Sequence, residues 1–289
     1  MFVDDKNVPP IADRQRTQVA SPTAKEERFG FGTNWSRFLR TLSDAQVRGA
    51  EESLREMLCA RSLTGKSLLD IGSGSGLFSL AARRLGAKVH SFDYDVGSVA
   101  CTERMRRRYF PADSEWVVEQ GSVLDEEYVQ RLGKFDVVYS WGVLHHTGEM
   151  WRALDNAAAL VADNGQLFIA IYNDQGLKSK YWKVVKRTYN RSRFGKILML
   201  VVHMPYLYGL RALVRHVTRR AALGRGMSLW HDAVDWIGGY PFEVAKPEQV
   251  VEFLASRGLV LRKLRTCGGK MGCNEFVFSM TRINVAKAG

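Results

Sequence analysis

Residues 68 to 76 read Leu68-Leu69-Asp70-Ile71-Gly72-Ser73-Gly74-Ser75-Gly76 and run directly into Leu77-Phe78-Ser79-Leu80-Ala81. An apolar run, then alternating glycines, then good helix formers predicts a strand over Ser67 to Ile71, a sharp turn, and a helix over Leu77 to Leu85. Glycine tolerates the left-handed backbone such a turn needs. It also lets the main chain approach a ligand at a helix N-terminus, where unpaired amides collect. Two alternatives fail on spacing. A dinucleotide fingerprint has a small residue three positions after its second glycine, where this chain has Leu77. A P-loop ends in Gly-Lys-Ser/Thr, and Gly76 is followed by leucine.

Working outward, short β-rich runs alternate with longer helix-like stretches between Thr64 and Tyr172: Ser67 to Ile71, Lys88 to Phe92, Trp116 to Glu119, Phe135 to Tyr139 and Gln166 to Ile171. That rhythm signals βαβ units and a parallel sheet. From Asn173 to Glu243 the alternation stops, and helices of mixed apolar and basic character take over. A proline-opened helix (Pro247 to Arg257), a strand (Leu259 to Leu264), a Gly-rich turn and a last strand (Glu275 to Met280) complete the chain. The expected architecture is α/β: a Rossmann-like, seven-stranded, mostly parallel sheet with helices on both faces and a helical cap inserted after the fifth strand. Residues 1–30 read as an arm or lid, 31–172 and 246–289 as the core, and 173–245 as a basic, aromatic-rich cap on the substrate side.

Composition agrees with a globular chain. Of 289 residues, 46% are hydrophobic and 25% charged, which excludes disordered and fibrous classes. The opening stretch carries charges of both signs and no long apolar run, so it reads as neither a secretory signal nor a transit peptide. The longest nearly apolar stretch, Ile197 to Leu210, is broken by His203, Pro205 and Gly209 and falls short of the roughly 20 residues a spanning helix needs. Four scattered cysteines make no disulfide framework, and Cys267 and Cys273 read as structural. The expected location is the cytoplasm, with peripheral contact to an anionic membrane as one reading of the basic cap.

The glycine-rich turn resembles the first motif of class I S-adenosylmethionine-dependent methyltransferases, and three further segments agree. Ser91-Phe92-Asp93 ends the second strand with an acid suited to a ribose diol. Gly121-Ser122-Val123-Leu124-Asp125 follows the third strand, where that family holds adenine. Phe135 to Thr147 is similar to the fourth motif of the ubiquinone-methylase-like branch, and bacterial prenyl-diphosphate C-methyltransferases are a looser likeness. The resemblance spans about residues 28 to 281. It implies S-adenosyl-L-methionine as cofactor and Trp35, Asp70, Gly72, Ser73, Gly74, Gly76, Asp93, Tyr94, Ser122, Val123 and Trp141 as its binding residues. In similar enzymes the stretch before the core folds over the cofactor, so Trp35 and Phe31 are candidates to close the site; a packing cluster at a helix start is the competing reading.

An activated methyl donor leaves the protein mainly to align the reactants and exclude water, with a base needed only where the acceptor must lose a proton. His145 and His146, just past the fourth strand, are candidates, as are Asp235 and Glu243; helix capping is the structural alternative for the histidines. Asn173 follows the fifth strand at the same sheet edge. His231 and Asp235 lie one helical turn apart, a spacing too sparse to assign a metal.

The formal charge of +12 lies in the cap: Gln175 to His231 contains thirteen Lys and Arg and no acid, leaving 29 basic against 30 acidic residues elsewhere. Aromatic residues crowd the same segment. Tyr181, Trp182, Lys186, Arg187, Arg191, Trp230, His231, Trp236 and Tyr240 are therefore the expected substrate contacts. The leading expectation is methylation of a small hydrophobic acceptor, isoprenoid-like with an anionic phosphate or diphosphate head, at carbon, with or without a following cyclisation. O-methylation of a phenol or quinol is the alternative, with a histidine as base. A tRNA-type nucleic-acid methyltransferase is a further one, disfavoured because the fourth motif lacks the Asn/Asp-Pro-Pro-aromatic arrangement. A catalytically idle fold anchored to a membrane by its cap is the last. Oligomeric state is left open.

Overall fold

In the computed structural model, residues 29–30, 32–40, 42–210, 229–270 and 272–280 are described. Seven strands form one sheet in the order β3-β2-β1-β4-β5-β7-β6. They are β1 (Ser67–Ile71), β2 (Lys88–Asp93), β3 (Trp116–Gln120), β4 (Phe135–Trp141), β5 (Val161–Tyr172), β6 (Leu259–Arg265) and β7 (Cys273–Met280). The first five pair in parallel, and β7 runs antiparallel between β5 and β6. Strand order reverses between β1 and β4, so the crevice beyond their carboxyl ends is where a ligand is expected.

Helices α1 (Gly32–Arg40), α2 (Asp44–Leu58), α3 (Leu77–Arg84) and α4 (Val96–Tyr109) cover one face of the sheet. Helices α5 (Glu126–Leu132), α6 (Met150–Ala159) and α10 (Pro247–Ala255) cover the other. Both faces of the central strands are therefore buried. Leu68, Leu69, Val138, Leu167 and Ile169 are nearly inaccessible, and each such side chain contributes about 1.5–3 kcal/mol of burial free energy.

The inserted cap contains α7 (Leu177–Arg191), α8 (Arg193–Met204), a π-type turn (Pro205–Leu210) and α9 (Leu229–Gly238). It has its own apolar core of Trp182, Val185, Tyr189, Leu207, Ala233, Ile237 and Phe242. Phe29 reaches it, donating its N–H to the carbonyl of Tyr240 at 3.1 Å. Residues 1–28 of the expected arm, and Phe31, lie outside the described residues.

Most element boundaries fall within two residues of those expected. The exception is β5, which begins at Val161 rather than Gln166. Ala162-Asp163-Asn164-Gly165 has the composition of a turn, yet Val161 pairs with Phe135 across a register shift and Asn164 takes φ 62° to accommodate it.

Candidate functional site

The glycine turn is built as its sequence demands. Gly72, Gly74 and Gly76 have φ of 75°, 56° and 77°. A Cβ on Gly72 would lie 2.4 Å from the Val143 side chain, and one on Gly76 would lie 2.9 Å from the Thr102 backbone. The first contact closes the turn against the chain leaving β4; the second seats α3 on α4.

Two carboxylates anchor this turn. Asp70 is buried, and a relay of donors ends on it. Trp116 Nε1, which can only donate, gives its hydrogen to Ser91 Oγ at 2.9 Å. Ser91 then donates to Ser79 at 2.8 Å, and Ser79 donates to Asp70. Burial nevertheless lifts the Asp70 pKa from 3.8 to about 7. Asp93, at the tip of β2, accepts the amides of Gly74 and Asp95, each at 2.9 Å, and burial holds its pKa at about 6. Among the described residues, no cation figures in the shift of either acid. Asp95 caps α4 and takes the Gly32 amide at 3.2 Å, which ties α1 over the turn. Trp35 on α1 then lies against Gly74, whose Cβ would be 3.1 Å from the indole.

These groups line a cavity of about 940 Å³ that continues beneath the cap. Its far wall is aromatic: Phe38, Phe78, Tyr139, Trp141, Tyr172, Trp236 and Tyr240. His146 is the basic group in that wall. Its Nδ1 lies 2.5 Å from the carbonyl oxygen of Pro241. A carbonyl only accepts, so Nδ1 carries the proton and Nε2 the lone pair. Burial, reinforced by Lys186, lowers its pKa to about 3, so the imidazole is neutral at pH 7. Opposite stands Glu275, receiving Trp141 Nε1 at 2.8 Å and Arg265 at 3.2 Å.

Comparison with known proteins supplies the family. A family model described as "Methyltransferase domain" matches residues 41–220. The chain belongs to this methyltransferase family. A ubiquinone biosynthesis O-methyltransferase of Rhodopseudomonas palustris is 29% identical over 132 residues, covering 46% of this chain and 49% of that protein. One from Pelagibacter ubique is 28% identical over 148 residues, 51% and 55% of the two chains. The chain thus spans about half the length of the curated relatives it matches. In structure it is similar to magnesium protoporphyrin IX methyltransferase from Synechocystis, with TM-score 0.52, 14% identity, and 86% and 95% of the two chains covered. That likeness bears on the fold, which is the class I S-adenosylmethionine-dependent methyltransferase fold.

The cavity suits this family's cofactor. S-adenosylmethionine carries a sulfonium and an ammonium, and the buried Asp70 and half-buried Asp93, with no cationic partner among the described residues, present matching charge. Every expected cofactor residue except Gly76 lines the cavity: Trp35, Asp70, Gly72, Ser73, Gly74, Asp93, Tyr94, Ser122, Val123 and Trp141. Gly76 instead occupies the N-cap of α3.

The expected catalytic and substrate residues separate. His146, Trp236 and Tyr240 line the cavity, whereas His145 does not. His145 is fully buried; it accepts the Tyr172 amide on Nδ1 at 3.3 Å, and its carbonyl receives the Glu243 amide at 3.0 Å. Glu243, expected as a proton acceptor, instead takes the Met150 amide at 3.0 Å and caps α6, whose own N-cap residue makes no side-chain bond. Asn173 is held by the amide of Asn274 at 3.0 Å, away from the cavity.

The cap cations depart most from expectation. Lys186 is fully buried, donates to the Trp236 carbonyl and sits 4.7 Å and 4.8 Å over the rings of Trp236 and Phe242. Arg187 and Arg191 are exposed on the outside of α7. Tyr181 is also exposed, its hydroxyl 2.7 Å from His203 Nε2, and Trp182 is buried in the cap core. The side chains of Trp230, His231 and Asp235 lie outside the described residues. Sequence reasoning missed Glu275 and Arg265. A signal was present, since Glu275 directly precedes the apolar run Phe276-Val277-Phe278 of the last strand, and an acid in so apolar a strand needs a partner.

Proposed function

We propose that this protein methylates a hydroxyl oxygen on a small, flat, largely apolar acceptor such as a phenol or quinol, with His146 accepting the hydroxyl proton. The observation that carries the proposal is the place and tautomer of His146: a neutral imidazole in the aromatic lining of the cavity, whose Nδ1 proton faces Pro241 and whose basic nitrogen is therefore Nε2. S-adenosylmethionine supplies the activated methyl group when bound. Asp93 and the Ser122-Val123 edge orient the ribose and adenine, Asp70 lies beneath the glycine turn, and Trp35 excludes water from above.

A weak base suffices for this transfer. As the new carbon–oxygen bond forms, the acceptor hydroxyl becomes far more acidic than an imidazolium, so even His146 takes its proton. The curated relatives named as O-methyltransferases of ubiquinone biosynthesis support the oxygen reading. An isoprenoid acceptor with a diphosphate head has less support, because Arg265 is the one Lys or Arg in the described lining and two carboxylates already engage it.

The test is incubation with methyl-labelled S-adenosylmethionine and, separately, an alkyl catechol, a prenylated hydroquinone and farnesyl diphosphate. Label recovered as a methyl ether of a phenolic acceptor is the expected result. Label on the prenyl chain, or none on either phenol, would overturn it.

A further inference from the structure

The outer surface of the cap is inverted relative to an ordinary surface helix. In α8, Phe194, Ile197, Leu198, Val201 and Val202 recur at i, i+3, i+4, i+7 and i+8, the spacing of one helical face, and that face is exposed at 40–74%. The opposite side of α8, with Met199, Leu200, His203 and Met204, packs into the cap core. Helix α8 is therefore apolar on both of these sides and, among the described residues, covered on only one of them. Its neighbour α7 also exposes Leu177, Tyr181 and Val184, and the hydrogen bond from Tyr181 to the buried His203 ties the α7 stripe to α8. Tyr206 and Tyr208 extend the surface past the end of α8.

Seven exposed cations interleave with these side chains: Lys178, Lys180, Lys183, Arg187, Arg191, Arg193 and Lys196. No Asp or Glu occurs between Gln175 and His231. That charge selects among occupants. A second copy of this face would set its cations against the first set. The chain's own residues 211–228 bring Arg211, Arg215, Arg219, Arg220 and Arg225, again with no acid. Of these three, an anionic lipid surface satisfies both components, taking apolar side chains among acyl chains and cations against phosphates.

We infer that the exposed face of α7 and α8 docks this protein on an anionic bilayer. Helix α8 is about 18 Å long at 1.5 Å per residue, against a hydrocarbon core of about 30 Å, so it lies on the membrane rather than through it. Among the described residues no helix is long and apolar enough to cross. The same face backs the cap core, which reaches the cavity through Tyr172 and Trp236, so the surface that meets lipid adjoins the wall that meets the acceptor.

The test is co-sedimentation of the full chain with vesicles of phosphatidylcholine plus phosphatidylglycerol and with phosphatidylcholine alone, without cofactor or acceptor, so its result is independent of methyl transfer. Binding is expected to the anionic vesicles and to weaken with salt. The Ile197→Glu/Val201→Glu variant should bind at least about tenfold more weakly. Lys180→Gln/Lys183→Gln, which alters only exposed charge, should lose roughly 25-fold at about fivefold per cation. Unchanged unfolding midpoints and S-adenosylhomocysteine affinity would show both variants folded. Three results would overturn the inference: no binding to anionic vesicles, equal binding by both variants, or a dimer that Ile197→Glu/Val201→Glu converts to monomer without vesicle binding by the parent.

Discussion

Replacing Asp70 with asparagine should make the cofactor-free protein more stable at pH 8, although the residue sits in the binding turn. Asp70 is buried under the glycines, and its pKa rises from 3.8 to about 7. A raised carboxyl pKa means that the folded state prefers the protonated acid. The associated stability is fully present below pH 3.8 and is lost as pH rises through about 7. At about 1.36 kcal/mol per pH unit, the full difference is about 4 kcal/mol, of which about 2.5 kcal/mol develops between pH 5 and pH 8. Asparagine keeps an acceptor for Ser79, so the donor relay from Trp116 through Ser91 still has an end point. Urea unfolding of parent and variant at both pH values measures the difference, and the titrating groups other than Asp93, whose charge is coupled to that of Asp70, cancel between the two proteins. The variant should gain about 2.5 kcal/mol on the parent from pH 5 to pH 8 while binding S-adenosylhomocysteine more weakly. A stability difference that does not change between those pH values would refute the reasoning, because Asp70 would then titrate alike in the folded and unfolded chain.

Four further expectations are sharp. His146→Gln should lower kcat on a phenolic acceptor about 100-fold or more while leaving S-adenosylhomocysteine affinity in place. With the His146 pKa held at about 3, the parent's kcat at saturating cofactor should show no acid limb near 6.5, and a limb there in the pH–rate profile would contradict the assignment. Gly76→Ala places a Cβ 2.9 Å from the Thr102 backbone at φ 77° and should cost about 2 kcal/mol or more in chemical denaturation. Glu243→Gln should cost about 0.5–1 kcal/mol through the weakened α6 cap and leave kcat within about twofold; a fall of two orders of magnitude in steady-state assays would return Glu243 to the chemistry.

How much of this was legible in the chain follows from the range of each interaction. The glycine turn, the acids at Asp70 and Asp93 and the alternation of strands and helices are local: backbone conformation and hydrophobic period are written within ten or so residues. Asp235 and His231 fall where side chains are not described, and their expected roles stand as proposals. The two histidines are adjacent in sequence and equal in chemistry. Only the approach of Pro241, 95 residues away, fixes the Nδ1 proton of the one that lines the cavity, while the Tyr172 amide engages the other.

The cap shows the same division. Its thirteen cations and dense aromatics were plain in sequence, and so was its insertion after the fifth strand. Their direction was not, because a helix that is apolar on every side has no period to say which side faces the core, and a charge count has no orientation. Tertiary packing turned Trp236 and Tyr240 toward the cavity, buried Lys186 against aromatic rings and left Arg187 and Arg191 outside. It also brought Glu275 and Arg265 from the last two strands to meet Trp141 of the fourth. Sequence by itself determined the fold and the glycine turn with its two acids, since those rest on short-range geometry; the three-dimensional structure decided which side chains line the cavity, since that depends on contacts between residues far apart in the chain.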